Sequence, residues 1–251
     1  VIRIRIFDRF ETVGNYPALY IDDIDTLVLS DFHLGMESLL ADSGVYMPKF
    51  QLEELKEELD DICKEKEPRR LVICGDVKHE FSEASRGERE EVKELVEFLS
   101  GRVEEIFLVK GNHDNYLIYA VEDYDNVRLE THFLIDNILF IHGDSEEVLE
   151  GKEFDFLVMG HEHPAVTLED EIGVSEKIPC FLYGENESEE KIIVLPAFSK
   201  LAEGSRVNIT DEELASPVLS EVVDVGSMRA IGVDREAGLF HFPELKELSL
   251  D

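Results

Sequence analysis

The sequence predicts an α/β protein built on two sheets flanked by helices. Three observations carry that expectation. As far as residue 110, apolar strand patterns alternate with amphipathic helical ones, as in a parallel sheet. From residue 126 onward, short apolar segments follow one another with turns between them and little helical period, as in a second, mixed sheet packed on the first. Short polar blocks stand at the ends of apolar segments from both halves, and the carboxyl ends of strands are where open α/β sheets bind ligands. At 251 residues the chain can bury such a core, and residues 1–251 read as one domain.

The elements follow in order. Residues 1–6 alternate apolar and basic, a strand pattern, and residues 24–30 read as a buried strand that delivers Asp31 and His33. In residues 50–66, Leu52, Leu55, Leu59 and Ile62 recur at three- and four-residue steps with Glu and Lys opposite, a helix that Pro68 stops. Residues 71–74 form the next strand, ending in Gly75-Asp76. A second helix carries Val92, Leu95, Val96 and Leu99 on one face and ends near Gly101, before a strand at 106–109. Short strands are expected at 126–129, 133–135, 138–141, 156–159, 165–168 and 192–195. An acidic hairpin tip at 185–190, a long loop at 196–217 bordering the site, and two or three closing strands in 222–242 complete the expectation.

The charge is far from balance: 58 Asp and Glu against 24 Lys and Arg, a formal net charge of -34. Such a surface suits solubility in a salt-rich cytosol and repels nucleic acid except where a local positive feature overcomes the field. No apolar run approaches the roughly 18 to 20 residues that span a bilayer. Residues 1–6 also lack the apolar core of a signal peptide, so a cytoplasmic location without a membrane partner is expected. Cys63, Cys74 and Cys180 form no CxxC pair and read as small buried hydrophobes.

Five blocks hold the chemistry: Asp31-Phe32-His33, Gly75-Asp76, Gly111-Asn112-His113-Asp114, His142-Gly143-Asp144 and Gly160-His161-Glu162-His163. They use five of the eight histidines. Each block alone reads equally well as polar residues capping a strand; the ordered set points to metal. Asp31 and His33, two apart, can turn toward one ion, and one carboxylate at Asp76 can bridge two ions about 3.5 to 4 Å apart. Asn112 offers a carbonyl oxygen, and His142, His161 and His163 offer imidazole nitrogens. Oxygen and nitrogen without thiolate suit two divalent transition-metal ions, Mn first, with Fe, Co, Ni or Zn also compatible.

These blocks resemble the calcineurin-like metallophosphoesterase superfamily, whose motifs run DxH, GD, GNHD/E, H and GHxH; all five are intact between residues 31 and 163. The resemblance implies a four-layer αββα sandwich of two mixed sheets with two metals at their edge. It places Asp31, His33, Asp76 and His163 on one metal, and Asp76, Asn112, His142 and His161 on the other. It also implies that His113 faces the substrate to protonate the leaving oxygen or stabilise the transition state, with Asp114 orienting its ring. The implied activity is phosphodiester hydrolysis of nucleotides or nucleic acid by a metal-bridging hydroxide. The alternatives are a phosphomonoesterase on a small metabolite or phosphoprotein, and a non-catalytic scaffold.

A narrower resemblance, to the small archaeal and bacterial ICC-like phosphoesterases, rests on residues 18–20, 29–35, 75–81 and 195–199. That group includes a bacterial branch associated with a DNA ligase and helicase, so a DNA-repair protein partner is implied. Lys78-His79 stands where the double-strand-break repair nucleases of the superfamily usually carry an aspartate. His79, Lys110, Lys200 and Arg206 are further candidates for substrate contact, against the simpler reading of each as a surface residue. His132 and His241 read as structural, and Asp144 either positions His142 or begins a helix at Ser145.

Overall fold

Alternate residues of the central strands are apolar on both sides, so these strands need cover on both faces. The computed structural model describes residues 3–45, 48–80, 86–169, 172–209 and 213–249. Among them, seven strands form the first sheet: β1 (Arg5–Ile6), β2 (Phe10–Thr12), β3 (Leu19–Ile21), β4 (Thr26–Leu29), β5 (Arg70–Ile73), β6 (Glu105–Val109) and β7 (Val127–Glu130), in that spatial order. β1 to β4 pair antiparallel, and β4 to β7 pair parallel.

The second sheet contains β8 (His132–Ile135), β9 (Ile138–Ile141), β10 (Phe156–Met159), β11 (Pro164–Glu169), β12 (Ser175–Glu185), β13 (Lys191–Val194), β14 (Ser205–Arg206), β15 (Arg229–Asp234) and β16 (Gly238–Glu244). β9, β10 and β13 run parallel, and β12 pairs antiparallel with β11, β13 and β15. The helices are α1 (Met36–Asp42), α2 (Gln51–Lys66), α3 (Arg86–Ser100), α4 (Ile118–Val121) and α5 (Pro217–Val222).

Period-two alternation sorts the core into three clusters. Leu27, Leu29, Leu71 and Ile73 point one way and meet Leu55, Leu59 and Ile62 of α2 and Val92, Leu95 and Leu99 of α3. Val28, Val72 and Phe107 point the other way and meet Phe140, Val158 and Ile193 of the second sheet. Leu139, Ile141, Leu157 and Met159 cover the outer face of that sheet, under Val218 and Leu219 of α5. The result is the four-layer αββα sandwich, with a thin fourth layer: α5 is six residues long.

Several boundaries differ from expectation. Residues 126–129 were expected in the second sheet, yet β7 closes the first, parallel to β6. The chain reaches it through α4, as a parallel crossover requires. Val127 and Leu129 pack onto the helical side of that sheet, and one-sided alternation does not reveal which sheet a strand joins. The opening strand is confined to Arg5–Ile6; Val1 and Ile2 lie outside the described residues. β2, β3, α1 and α5 were not anticipated, being short, nor was β12, whose first half carries exposed Glu176 and Lys177 and so lacks an apolar face.

The hairpin tip at 185–190 is as expected: Asn186 Oδ1 accepts from the amides of Ser188 and Glu190, both at 3.0 Å. Within 222–242 there are two closing strands, β15 and β16. The three cysteines are buried and unpaired. Among the described residues no helix is long and apolar enough to cross a membrane.

One buried ion pair ties α2 to the first sheet. Lys66, in the last turn of α2, pairs with Glu11 of β2 and lies 4.8 Å above the Tyr20 ring. Burial pushes the Glu11 carboxyl up, but the hydrogen bond and charge of Lys66, with Arg3 and Arg5, outweigh it and hold it below its ordinary range. A depressed folded-state pKa gives stability that is present above the unfolded value, about 4.3, and lost as pH falls through the folded one. Lys66→Met is therefore expected to cost about 2 to 3 kcal/mol at pH 7 and distinctly less at pH 3. Equal losses in urea unfolding at the two pH values would contradict this.

Candidate metal centre

Five parallel strands aim their carboxyl ends at one edge of the sandwich. β4 delivers Asp31 and His33, β5 delivers Asp76, β6 delivers Asn112 to Asp114, β9 delivers His142, and β10 delivers His161 and His163. Asp31, His33 and His163 offer ligand atoms that all lie within 4.8 Å of one another, and so do Asp76, His142 and His161. Asp76 joins the two groups: its Oδ2 is 3.8 Å from His33 Nε2 and 3.3 Å from His142 Nε2. Asn112 Oδ1 lies 3.0 Å from His142 Nε2, on the second group's side. All seven expected ligand residues thus converge.

The donor set fits divalent cations. Asp31 Oδ1 is buried without a hydrogen-bond partner, 3.2 Å from His163 Nε2, and an orphaned buried carboxylate oxygen is costly unless a cation meets it. His33 Nε2 and His163 Nε2 face each other at 3.3 Å, and His161 Nδ1 and His142 Nε2 at 3.0 Å. Converging imidazole lone pairs are what a metal ligand set presents.

Backbone geometry also marks the site. Asp31, His33, Asp76, His161 and His163 all have positive φ, between 46 and 66°, a region that residues other than glycine seldom occupy and that clusters at functional sites. Gly75 has φ +91°, and a Cβ there would run into the His142 ring. A Cβ at Gly111 would strike Asp76, and one at Gly160 would strike Ser30 and Asp31.

The charges are strongly interdependent. Asp31 and Asp76 are fully or almost fully buried, which raises a carboxyl pKa, yet the surrounding imidazoles hold both below the ordinary range. Burial pulls His142 down, but the Asp76 carboxylate outweighs it and pushes the ring up to about 10. Burial takes His33 down to about 4, and burial together with His142 lowers His161. His163 is raised, burial being outweighed by Asp31.

His113 sits beside the ligand set, its Nε2 3.9 Å from Asp76 Oδ2 and its amide donating to Asp76 Oδ1 at 3.0 Å. Its ring is not held as expected. Nδ1 donates to the carbonyl of His79, and the Asp114 carboxylate instead accepts from the amides of Val77, Lys78 and Gly111 at 3.0, 3.3 and 3.0 Å. Asp114 therefore fastens the loop after β5 to the loop after β6. Burial, then the Asp76 charge, push its carboxyl up to about 7.

His79 belongs to the site. Its ring stacks on His113 at 5.3 Å and 21°, and its Nδ1 is 3.3 Å from His33 Nδ1. Lys200 is committed elsewhere, to Glu54 and Glu58 at 2.9 and 3.0 Å. Lys110, His132 and Asp144 line a cavity of about 470 Å³ beside Asn112, while His241 is exposed.

Sequence reasoning missed the residues that brace the loops. Gln51 Nε2 donates to the carbonyls of Phe32 and His33 at 3.0 and 2.9 Å. Glu88 Oε1, from α3, accepts from the amides of His79 and Glu80. Glu162 accepts from Ala215 and Ser216, anchoring the start of α5, and Ser216 Oγ donates to the Gly143 carbonyl at 2.7 Å. Ser30 Oγ lies 2.5 Å from Asp31 Oδ2 and 2.9 Å from the Cys74 carbonyl, and its one proton serves one of them. The loop 196–217 does border the site: Ser199 N donates to Asp31 O at 3.1 Å, and Ser205 N to His163 O at 2.9 Å.

The sequence profile of the calcineurin-like phosphoesterase family matches residues 24–165, more than half of the chain, and the chain belongs to that family. The class is that of hydrolases of phosphate esters that use divalent metals. Among solved structures the chain is similar to the nuclease MPE of Pseudomonas putida, with 16% identity and a TM-score of 0.66 over 96% of this chain and 99% of that one. It is also similar to Yfce, a phosphoesterase from E. coli, with 16% identity and a TM-score of 0.38 over 89% and 94% of the two chains. At these identities the first similarity establishes the fold, and the second carries no further argument. No curated protein matches the sequence.

Proposed function

We propose that the protein is a phosphodiesterase acting on nucleotides or nucleic acid, with two divalent ions, Mn first, held by Asp31, His33, Asp76 and His163 and by Asp76, Asn112, His142 and His161. The observation that carries this reading is Asp76 Oδ2, placed between two histidine-containing groups at 3.8 and 3.3 Å. Two ions bound there would lower the pKa of water and offset charge on the phosphoryl oxygens.

The chain's own residues supply the rest. A carbonyl oxygen only accepts, so the contact with His79 puts a proton on His113 Nδ1 and leaves Nε2 as the nitrogen turned to the site. As the imidazolium, His113 gives its Nε2 proton to the departing alkoxide while the phosphorus–oxygen bond to it breaks and a new one to the water oxygen forms. His79 and Asp114 hold that geometry: one fixes the ring, the other the loop that carries it.

The test is hydrolysis of bis-p-nitrophenyl phosphate against p-nitrophenyl phosphate by metal-stripped protein with Mn added back. Faster Mn-dependent cleavage of the diester is expected. Preference for the monoester would replace this reading with a phosphatase, and turnover of neither would favour a scaffold.

A further inference from the structure

Most cations in this acidic chain are neutralised locally by carboxylates. Lys110 and Lys152 are exceptions: neither makes an ion pair with a described residue. Both line the cavity of about 470 Å³ that has Gly111 and Asn112 in its wall. His132 lines it too, and Lys152 is close enough to that ring to act on it electrostatically. Asp144 and Glu147 also face the cavity, so the two ammonium groups stay apart from carboxylates that are near at hand. Amide and hydroxyl groups come from Asn115 and Thr131.

We infer that this cavity is a subsite for the flanking phosphate of a nucleic acid strand whose neighbouring phosphodiester lies at the metal centre. The inference rests on the phosphodiesterase reading above. The cavity adjoins that centre through Asn112, and its volume is of the order of one nucleotide. In a field set by a net charge of -34, a polyanion needs a local pair of uncommitted cations to approach. Next along the loop from Asn115, Tyr116 and Tyr119 are 53% and 54% exposed, with ring planes 19° apart. Exposed rings of this kind are where unpaired bases stack. A strand of linked nucleotides satisfies both features, whereas a small phosphate ester satisfies neither.

The experiment compares d(TpTpT), which has a flanking phosphate, with d(TpT) and bis-p-nitrophenyl phosphate, which have none, on the wild type and on Lys110→Ala/Lys152→Ala. The double variant is expected to raise KM for d(TpTpT) about tenfold with kcat retained, and to leave the other two substrates unchanged. Its affinity for d(TpTpT) should show a shallower salt dependence, by about one to two counterions. Lys152→Arg should retain most of the wild-type KM. Equal effects on all three substrates, or none on d(TpTpT), would overturn the subsite. Calorimetric binding of d(TpTpT) is read alongside turnover. A wild type that hydrolyses no diester would refute the phosphodiesterase reading, while the affinity difference would still decide the subsite.

Discussion

Asp76→Asn is expected to cut Mn-dependent hydrolysis of bis-p-nitrophenyl phosphate about a thousandfold, the equivalent of about 4 kcal/mol of transition-state stabilisation. The size of the effect follows from position. Asp76 Oδ2 faces both ligand groups, so neutralising this one carboxylate weakens two coordination spheres together. Its Oδ1 also accepts from the His113 amide, and an asparagine carbonyl can keep that bond. The backbone at φ +51° suits asparagine. The metal-free variant should thus melt within a few degrees of the wild type while losing the Mn-induced rise in melting temperature that ligand binding gives. Undiminished turnover, or a full Mn-induced rise, would remove Asp76 from its proposed role.

Gly75→Ala is expected to destabilise the metal-free protein by about 4 kcal/mol, the sum of two separable effects. The residue has φ +91°, and its Cβ would overlap the His142 ring. That ring cannot yield: it is 1% exposed, with Nδ1 2.9 Å from the Cys74 carbonyl and Nε2 beside Asn112 and Asp76. Gly44 separates the effects, having φ +93° with no atom within 4 Å of a Cβ. Gly44→Ala should cost only about 1 to 2 kcal/mol, the backbone part. Urea midpoints for the two variants provide the comparison, and equal losses would show that the His142 contact contributes nothing.

The ligand set was legible because few residue types bind metals and strand ends are easy to locate. Asp31, His33, Asp76, Asn112, His142, His161 and His163 needed only those two signals to be found. The bracing residues had no such signal. Glu88 and Glu162 are two of 58 acidic residues, and what distinguishes them is burial at 1% each, a tertiary property. Asp114 was found for its motif but assigned the wrong neighbour, because spacing of one residue from His113 says nothing about amides delivered by the loop after β5. The allocation of β7 failed similarly: its alternation gives one buried face, and only the chain's path through α4 decides which sheet receives it.

Five left-handed ligand residues also bear on how such a chain changes over generations. At Asp31, His33, Asp76, His161 and His163, glycine or asparagine would suit the backbone better than the residue present. Replacement there would relax conformational strain even as it removed a ligand, so mutation alone pushes the site toward loss. The metal centre persists against that gradient only while selection on activity opposes it. A descendant released from that selection should shed its ligands first at these five positions, and become no less stable for doing so.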